Sequence, residues 1–144
     1  MIAVDTNILI YAHRQDSNWH QPAFACIRGL AEGKAHWAIA WSCLHEFIAI
    51  ATNRKIYVPP STLEEALGQV RVWLSSPRLQ VLAERSGYWP DLESLALAGK
   101  VSGGQVHDAR IAAICLQHGV SELWTADRDF SRFPALKTRN PLVG

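Results

Sequence analysis

The chain has 144 residues, of which 49% are hydrophobic and 19% are charged, a composition that excludes a disordered chain and is sufficient to bury a core. Its 14 Lys and Arg residues nearly balance its 13 Asp and Glu residues. This excludes the strongly basic surface of a protein held on nucleic acid by charge alone, although not a nucleic acid that is gripped locally.

The predicted elements alternate between strands and helices, and the length indicates a single domain over residues 1–144. Cap residues open the first helix, and a pattern resembling a capping box at 61–65 opens another. In chain order we predict a strand at 2–4, a helix at 8–12 capped by residues 5–7, a helix at 19–32, a strand at 36–39, a helix at 41–52, a helix from 61–62 toward 73–74, a strand at 79–82, helices at 89–100 and 105–118, a strand at 123–125 and a last strand within 136–140. This order predicts an α/β fold with a mostly parallel central sheet.

Three isolated cysteines, Cys26, Cys43 and Cys115, cannot all pair and form no C-x-x-C motif. They are expected to be small core residues, and a reducing, cytoplasmic location follows as the expectation. The first apolar run stops at Asp5 and has no basic segment before it, so it does not resemble a signal peptide. No run of about 18 uncharged apolar residues is present, so we expect no association with a membrane.

Two acidic residues follow predicted strands. Asp5 comes directly after the strand at 2–4, and Asp127 lies two residues beyond the strand at 123–125. Ligands of open α/β sheets bind at the carboxyl ends of the strands. For either acid alone, the alternative explanation is that it caps the next helix or turn, because Asp is a favoured cap residue.

Asp108 lies on an apolar helix face. The positions three, four and seven residues further along are Ile111, Ala112 and Cys115, so its carboxylate shares the face that is expected to meet the core. An interaction with the helix dipole would explain why Asp108 lies in the first turn, but it would not explain why Asp108 lies on the apolar face of the helix.

Glu46 also lies among apolar residues of its predicted helix, including Cys43, Ala49 and Ile50. A buried acid without a partner costs several kcal/mol or takes up a proton. The alternative explanation is a salt bridge to Arg54 or Arg110.

Four carboxylates that converge on one pocket repel each other unless a cation holds them. Hard oxygen ligands suit Mg²⁺ or Mn²⁺, and such ions activate a water for in-line attack on a phosphodiester. If the four acids converge, they form a metal-dependent hydrolytic site.

The sequence resembles the PIN-domain family, and within it the VapC-type toxin ribonucleases of bacterial type II toxin–antitoxin pairs. The resemblance rests on Val-Asp-Thr-Asn at 4–7, Glu46, Val-His-Asp-Ala at 106–109 and Thr-Ala-Asp-Arg-Asp-Phe at 125–130, and it extends to 131–134 and 139–142. It implies a three-layer α/β/α sandwich and a Mg²⁺-dependent endoribonuclease, with Mn²⁺ as a substitute.

The resemblance also implies a role for each matched residue. Asp5, Glu46 and Asp108 correspond to the family acids that hold the metal directly. Asp127 corresponds to the fourth acid of the family, and Asp129 is near enough in sequence to share or take that role. Thr6 and Thr125 match positions that orient the acids or water by hydrogen bonds.

The implied partners are an RNA substrate, a cognate antitoxin and a second copy of the chain. The antitoxin peptide is expected in a groove near Glu46, with a basic side chain among the acids. Some large aromatic residues are expected on exposed apolar surface, while Trp124, in a strand, is expected in the core. The large aromatics considered are Trp19, Phe24, Trp41, Trp73, Trp89 and Trp124.

Three alternatives remain open. A related structure-specific DNA nuclease would use the same metal chemistry, but the chain is short for DNA-clamping segments. A non-catalytic, receiver-like Mg²⁺-binding module would need a Lys after a late strand, and residues 123–133 contain none. A catalytically silent interaction module would not require the set of acids.

Overall fold

Five strands and six α-helices occupy residues 1–143, the part of the chain that this computed structural model describes. The strands are β1 (Ile2–Val4), β2 (Trp37–Ala40), β3 (Leu79–Leu82), β4 (Glu122–Trp124) and β5 (Thr138–Arg139). The helices are α1 (Thr6–His13), α2 (His20–Glu32), α3 (Trp41–Ala51), α4 (Leu63–Leu74), α5 (Tyr88–Gly99) and α6 (Gln105–Gln117), and a 3-10 turn (Arg128–Arg132) follows β4.

The strands form one parallel sheet in the order β3-β2-β1-β4-β5. The chain steps in one direction from β1 to β3 and then crosses back to β4 on the far side of β1. Because parallel connections are right-handed, this reversal puts α1–α4 on one face of the sheet and α5 and α6 on the other. The helix packing agrees, since α1 packs on α2 and α3, α3 packs on α4, and α5 packs on α6.

The α/β prediction is therefore confirmed, including the parallel sheet and the three layers. The receiver-like alternative is wrong, because that fold has the strand order 2-1-3-4-5.

The central strands are buried because helices cover both faces of the sheet. All four residues of β2 are buried, and the ring nitrogen of Trp37 donates to Ser76 Oγ at 3.1 Å. Phe47 of α3 packs edge-on against Trp73 of α4, with 4.8 Å between the ring centroids. The predicted capping box is present at the start of α4, where Thr62 and Glu65 exchange hydrogen bonds of 3.0 and 3.1 Å.

The predicted boundaries differ from the structure by one or two residues. Helix α1 begins at Thr6 and not at position 8, because Asp5 alone is its N-cap. Strand β2 lies one residue later than predicted, and β4 lies one residue earlier. The last strand shrinks to Thr138–Arg139, and the turn expected after Asp127 is a 3-10 turn whose N-cap is Asp127.

The three cysteines are all free. Cys43 and Cys115 are buried as expected, whereas Cys26 on α2 is only half-buried, with its thiol 3.8 Å from the carbonyl oxygen of Pro141. None of the helices within residues 1–143 is long and apolar enough to span a membrane.

The large aromatics divide as expected between core and surface, with one exception. Trp73 is buried, whereas Trp124 is half-buried where a core position was predicted. The Trp124 ring lies under the guanidinium of Arg139, and its nitrogen donates to Glu122 at 2.8 Å. The exposed aromatics are Trp19, Phe24, Trp41 and Trp89.

Candidate metal centre

The candidate centre lies where the strand order reverses. β1 pairs with β2 on one side and with β4 on the other, so the chain diverges between β1 and β4. Ligand crevices of open α/β sheets form at such a switch point, outside the carboxyl ends of the strands. Asp5 follows β1 and Thr125 follows β4, and the Asp5 amide donates to the Trp124 carbonyl at 3.0 Å.

The Asp5 carboxylate is buried and held by several hydrogen bonds. Its Oδ1 accepts from the Thr6 amide at 2.8 Å, and its Oδ2 accepts from the Thr125 hydroxyl at 2.8 Å. The thiol of Cys43 on α3 donates to Oδ1 at 3.8 Å. Burial raises the pKa of Asp5 from 3.8 to about 6, although the bonds from Thr125 and Thr6 oppose the rise.

Asn7 joins the two strand ends, a role that the sequence did not reveal. Its side-chain amide donates to Asp5 Oδ2 at 3.3 Å and to Thr125 Oγ1 at 3.2 Å. Its Oδ1 accepts from the amide of Ala126 at 3.1 Å. An amide two residues after an acid at a strand end offers both a donor and an acceptor, and that was the available signal.

Three carboxylates converge at this edge of the sheet, and two of the predicted ligands, Asp5 and Glu46, are not among them. Asp108, Asp127 and Asp129 each offer an oxygen, and these oxygens all lie within 4.8 Å of one another. Asp108 is half-buried in the first turn of α6, and Asp129 is exposed. Asp127 is half-buried and caps the 3-10 turn, because its Oδ1 accepts from the Asp129 amide at 2.8 Å.

Burial and the neighbouring like charges raise the pKa of Asp108. Its pKa rises from 3.8 to about 7, first because of desolvation and then because of Asp127, Asp5, Asp129 and Glu46. The uncompensated group of acids therefore favours protonation near neutral pH.

Glu46 on α3 lies near enough for its charge to act on the same centre. It is half-buried, and its charge contributes to the raised pKa of both Asp5 and Asp108. The alternative salt bridges are not formed: Arg110 pairs with Glu84 at 2.9 Å, and no ion pair within residues 1–143 includes Glu46. Glu46 thus belongs electrostatically to the acidic group.

The two threonines differ in what they contribute. The hydroxyl of Thr125 donates to Asp5 and accepts from Asn7 and from the amide of Asp127, the last at 3.0 Å. The hydroxyl of Thr6 is buried and has no hydrogen-bond partner among residues 1–143, so Thr6 acts through its backbone amide.

The donor set fits a hard divalent cation. The three oxygens within mutual reach all come from carboxylates, which are the ligands that Mg²⁺ and Mn²⁺ prefer. A cation would also relieve the like-charge repulsion that adds to desolvation in raising the pKa of Asp108.

Comparison with known proteins agrees with this fold. The PIN-domain family model matches residues 2–136. The ribonuclease VapC43 of Mycobacterium tuberculosis is 33% identical over 144 residues, which cover 100% of this chain and 97% of the relative.

Solved structures share the fold at low sequence identity. VapC20 of Mycobacterium tuberculosis, a sarcin–ricin-loop-cleaving toxin, superposes with a TM-score of 0.68 at 18% identity over 91% of this chain and 93% of its own. A toxin–antitoxin complex from Klebsiella pneumoniae gives 0.62 at 19% identity over 98% of each chain. With the family model covering nearly the whole chain and a VapC relative matching it throughout, this protein belongs to the PIN-domain family, in its VapC ribonuclease group.

Proposed function

We propose that residues 1–144 form a single PIN domain that acts as the endoribonuclease toxin of a toxin–antitoxin pair, with Mg²⁺ as cofactor and Mn²⁺ as a substitute. The observation that carries this proposal is the group of Asp108, Asp127 and Asp129, whose carboxylate oxygens lie within 4.8 Å of one another and whose charges interact with that of the buried Asp5. The 33% identity to the ribonuclease VapC43 supports RNA as the substrate class.

The residues that would hold the ion are Asp5, Glu46, Asp108 and Asp127, with Asp129 in a supporting position. When bound, Mg²⁺ supplies Lewis-acid stabilisation of phosphate charge and lowers the pKa of water for in-line attack on the phosphodiester.

The chain's own residues keep this site assembled. The Thr125 hydroxyl and the Asn7 amide fix the orientation of the Asp5 carboxylate through bonds of 2.8 and 3.3 Å. The Asp108 carboxyl holds a proton over much of the range below its pKa of about 7 and releases it when a cation compensates the neighbouring charges.

The proposal is tested by incubating the purified chain with RNA, with and without EDTA, next to the variants Asp5→Asn and Asp91→Asn. EDTA should abolish cleavage. Loss of a residue that hydrogen-bonds a metal ligand reduces activity by roughly 10- to 100-fold. Asp5→Asn should reduce it further, because Asp5 is itself a proposed ligand and a neutral amide is a poor Mg²⁺ ligand. Asp91→Asn, which changes an exposed acid of α5, should cleave like the wild type. An unchanged rate in Asp5→Asn would refute the assignment.

A DNA strand of the same sequence in that assay addresses the alternative of a related DNA nuclease. VapC43 is a ribonuclease and VapC20 a sarcin–ricin-loop-cleaving toxin, so we expect RNA to be cut in preference to DNA.

The proposed partners are an antitoxin and a second copy of the chain, in the cytoplasm. The fold match to the Klebsiella pneumoniae toxin–antitoxin complex supports a protein partner. Exposed aromatic residues, of which Trp89 is 64% exposed, support contact surfaces. Sedimentation of the free protein should give a dimer, and a purely monomeric protein would contradict the homodimer.

A further inference from the structure

The turn that carries two of the converging acids is short and needs support from outside itself. It spans Arg128–Arg132, with Asp127 as its N-cap and Asp129 within it. Hydrogen-bond geometry is poorer in a 3-10 turn than in an α-helix, so a turn of five residues does not fix its own orientation. The positions of the two carboxylates therefore depend on what this turn packs against.

Two buried rings anchor the turn. Phe130 and Phe133 are each 1% exposed and meet edge-on, with 6.3 Å between their centroids. The turn packs on α6, the helix whose first turn holds Asp108. Because Phe130 directly follows Asp129, the seating of these rings helps to set where the Asp129 carboxylate lies relative to Asp108.

The end of α5 meets this turn at Gly99, which is buried. A Cβ at position 99 would lie 3.0 Å from Phe133 Cε1 and 3.3 Å from the carbonyl oxygen of Arg132. Glycine is a poor helix former, and the left-handed conformation that often explains a glycine at a helix end belongs here to Lys100, with a φ of 51°. The close approach of the turn is therefore what requires a glycine at this position.

Arg132 ties the far end of the turn to the same point. Its Nη1 donates to the carbonyl oxygen of Gly99 at 3.0 Å, across 33 residues of sequence. The last carbonyls of a helix have no partner within the helix and carry the negative end of its dipole, so a guanidinium is a favourable partner there. None of the ion pairs within residues 1–143 includes Arg132, so its guanidinium is not drawn to a carboxylate instead.

The turn is thus held at both ends. At its start, the amide of Asp127 donates to the Thr125 hydroxyl at 3.0 Å, and at its end Arg132 reaches Gly99. Asp129 lies three residues before Arg132, which is one full turn of a 3-10 helix. A displacement at Gly99 is consequently passed to the Asp129 carboxylate, while the strand end at Thr125 stays in place.

A small cation is sensitive to such a displacement. The oxygens of Asp108, Asp127 and Asp129 lie within 4.8 Å of one another. Mg²⁺ requires near-octahedral ligands at about 2.0–2.1 Å, whereas Ca²⁺ accepts about 2.3–2.6 Å in a flexible arrangement. A shift of a few tenths of an ångström, as a Cβ at position 99 would impose on its neighbours, should therefore weaken Mg²⁺ binding more than Ca²⁺ binding.

We propose that Gly99 and Arg132 are positioning residues, which hold the turn so that the carboxylates of Asp127 and Asp129 keep the spacing from Asp108 that a small divalent cation requires. Neither positioning residue is a proposed ligand. This inference rests on the proposed metal-dependent function, and it adds that the end of α5, a helix that contributes no acid to the centre, controls the affinity for the cation.

The test measures Mn²⁺ binding through the electron paramagnetic resonance signal of the free ion, followed by displacement with Mg²⁺ or Ca²⁺, all without RNA. Gly99→Ala and Arg132→Met should each weaken Mn²⁺ binding by about tenfold or more, the lower end of the loss that follows removal of a group supporting a ligand. Arg132→Lys should retain more affinity than Arg132→Met, because an ammonium can still donate to the Gly99 carbonyl. In Gly99→Ala, the affinity for Mg²⁺ should fall more than the affinity for Ca²⁺.

Two matched controls should bind Mn²⁺ like the wild type. Gly29→Ala changes a glycine of α2 whose Cβ would meet nothing within 4 Å. Arg85→Met removes a guanidinium that also donates to a carbonyl at a helix end, that of Gln117 at 3.5 Å, but at the end of α6 opposite to Asp108. Thermal melts in EDTA show which variants fold, and Arg132→Met, which shortens an exposed side chain, decides the proposal if Gly99→Ala does not fold.

The outcomes separate this inference from the proposed function. If the wild type binds Mn²⁺ and Arg132→Met binds it equally well, the positioning role is wrong and the proposed function stands. Equal losses of affinity in Arg132→Met and Arg85→Met would also overturn the positioning role, because the effect would then not be specific to this turn. A wild type that binds neither Mn²⁺ nor Mg²⁺ would overturn the proposed function, and this inference with it.

Discussion

Among single residues, Thr125 and Thr6 form a natural matched pair, because both are buried but only one hydroxyl has partners. Thr125→Val removes a hydroxyl that contacts Asp5, Asn7 and the Asp127 amide, so we expect a roughly 10- to 100-fold loss of RNA cleavage. Thr6→Val removes a hydroxyl without a partner and keeps the backbone amide that donates to Asp5, so its activity should stay near that of the wild type.

The pH dependence distinguishes this role from a loss of stability. The Thr125 hydrogen bond lowers the pKa of Asp5, so Thr125→Val should raise that pKa above about 6 and weaken Mn²⁺ binding most at acidic pH. Equal losses in both valine variants would show that Thr125 has no special role.

The fourth acid is decided by comparing Asp127→Asn with Asp129→Asn in one cleavage assay. Asp127 is half-buried whereas Asp129 is exposed, so we expect the larger loss at Asp127. An Asn at 127 keeps a side-chain oxygen that can accept from the Asp129 amide, so the variant mainly removes the charge. A loss at Asp129 that equals or exceeds the loss at Asp127 would reverse the assignment.

At the scale of the elements, α6 holds Asp108 half-buried and within a group of like charges, and the resulting rise in its pKa predicts how stability depends on pH. The carboxyl has a pKa of about 7 in the fold against 3.8 ordinarily, so the unfolded chain loses its proton first as the pH rises. In EDTA, the stability of the wild type relative to Asp108→Asn should therefore fall between about pH 4 and 7 and then level off.

Thermal melts in EDTA and in Mn²⁺ measure this effect. At pH 7.5 or so, Asp108→Asn should melt higher than the wild type in EDTA but gain less from Mn²⁺, because the ion stabilises the assembled site by mass action, by about 2.7 kcal/mol at a hundred times its dissociation constant. The control Asp91→Asn, in the first turn of α5, should melt slightly lower and respond to Mn²⁺ like the wild type. If Asp108→Asn also melts slightly lower than the wild type and responds to Mn²⁺ like the wild type, Asp108 interacts only with the helix dipole and is not part of the metal site.

The helices and strands could be predicted from the sequence, but the contacts between distant residues at the site could not. Helix and strand identities followed from local periodicity and caps, as in the box at Thr62 and Glu65. The linking role of Asn7 was not predictable, because it depends on β4 lying beside β1 although Asn7 and Thr125 are 118 residues apart. The close approach of Asp129 to Asp108 likewise depends on the 3-10 turn that Asp127 caps.

At the scale of the whole molecule, the acidic centre predicts how an antitoxin would inhibit. A basic side chain placed among Asp5, Glu46 and Asp108 would satisfy the charges that otherwise raise the pKa of Asp108, and it would exclude the cation. We expect the protein encoded by the adjacent upstream reading frame to inhibit cleavage, and removal of its basic residues to restore cleavage. Inhibition that does not depend on those residues would contradict this mode of inhibition.

The most direct test of the central claim, that these acids use a hard cation to hydrolyse RNA, is the chemistry of the new ends. Purified protein is incubated with RNA in Mg²⁺, in Mn²⁺ and in EDTA, and the termini of the products are identified. Attack by an activated water leaves a 5′-phosphate and a 3′-hydroxyl, and we expect these ends only when the ion is present. Cleavage in EDTA, or products that end in a 2′,3′-cyclic phosphate, would contradict the account.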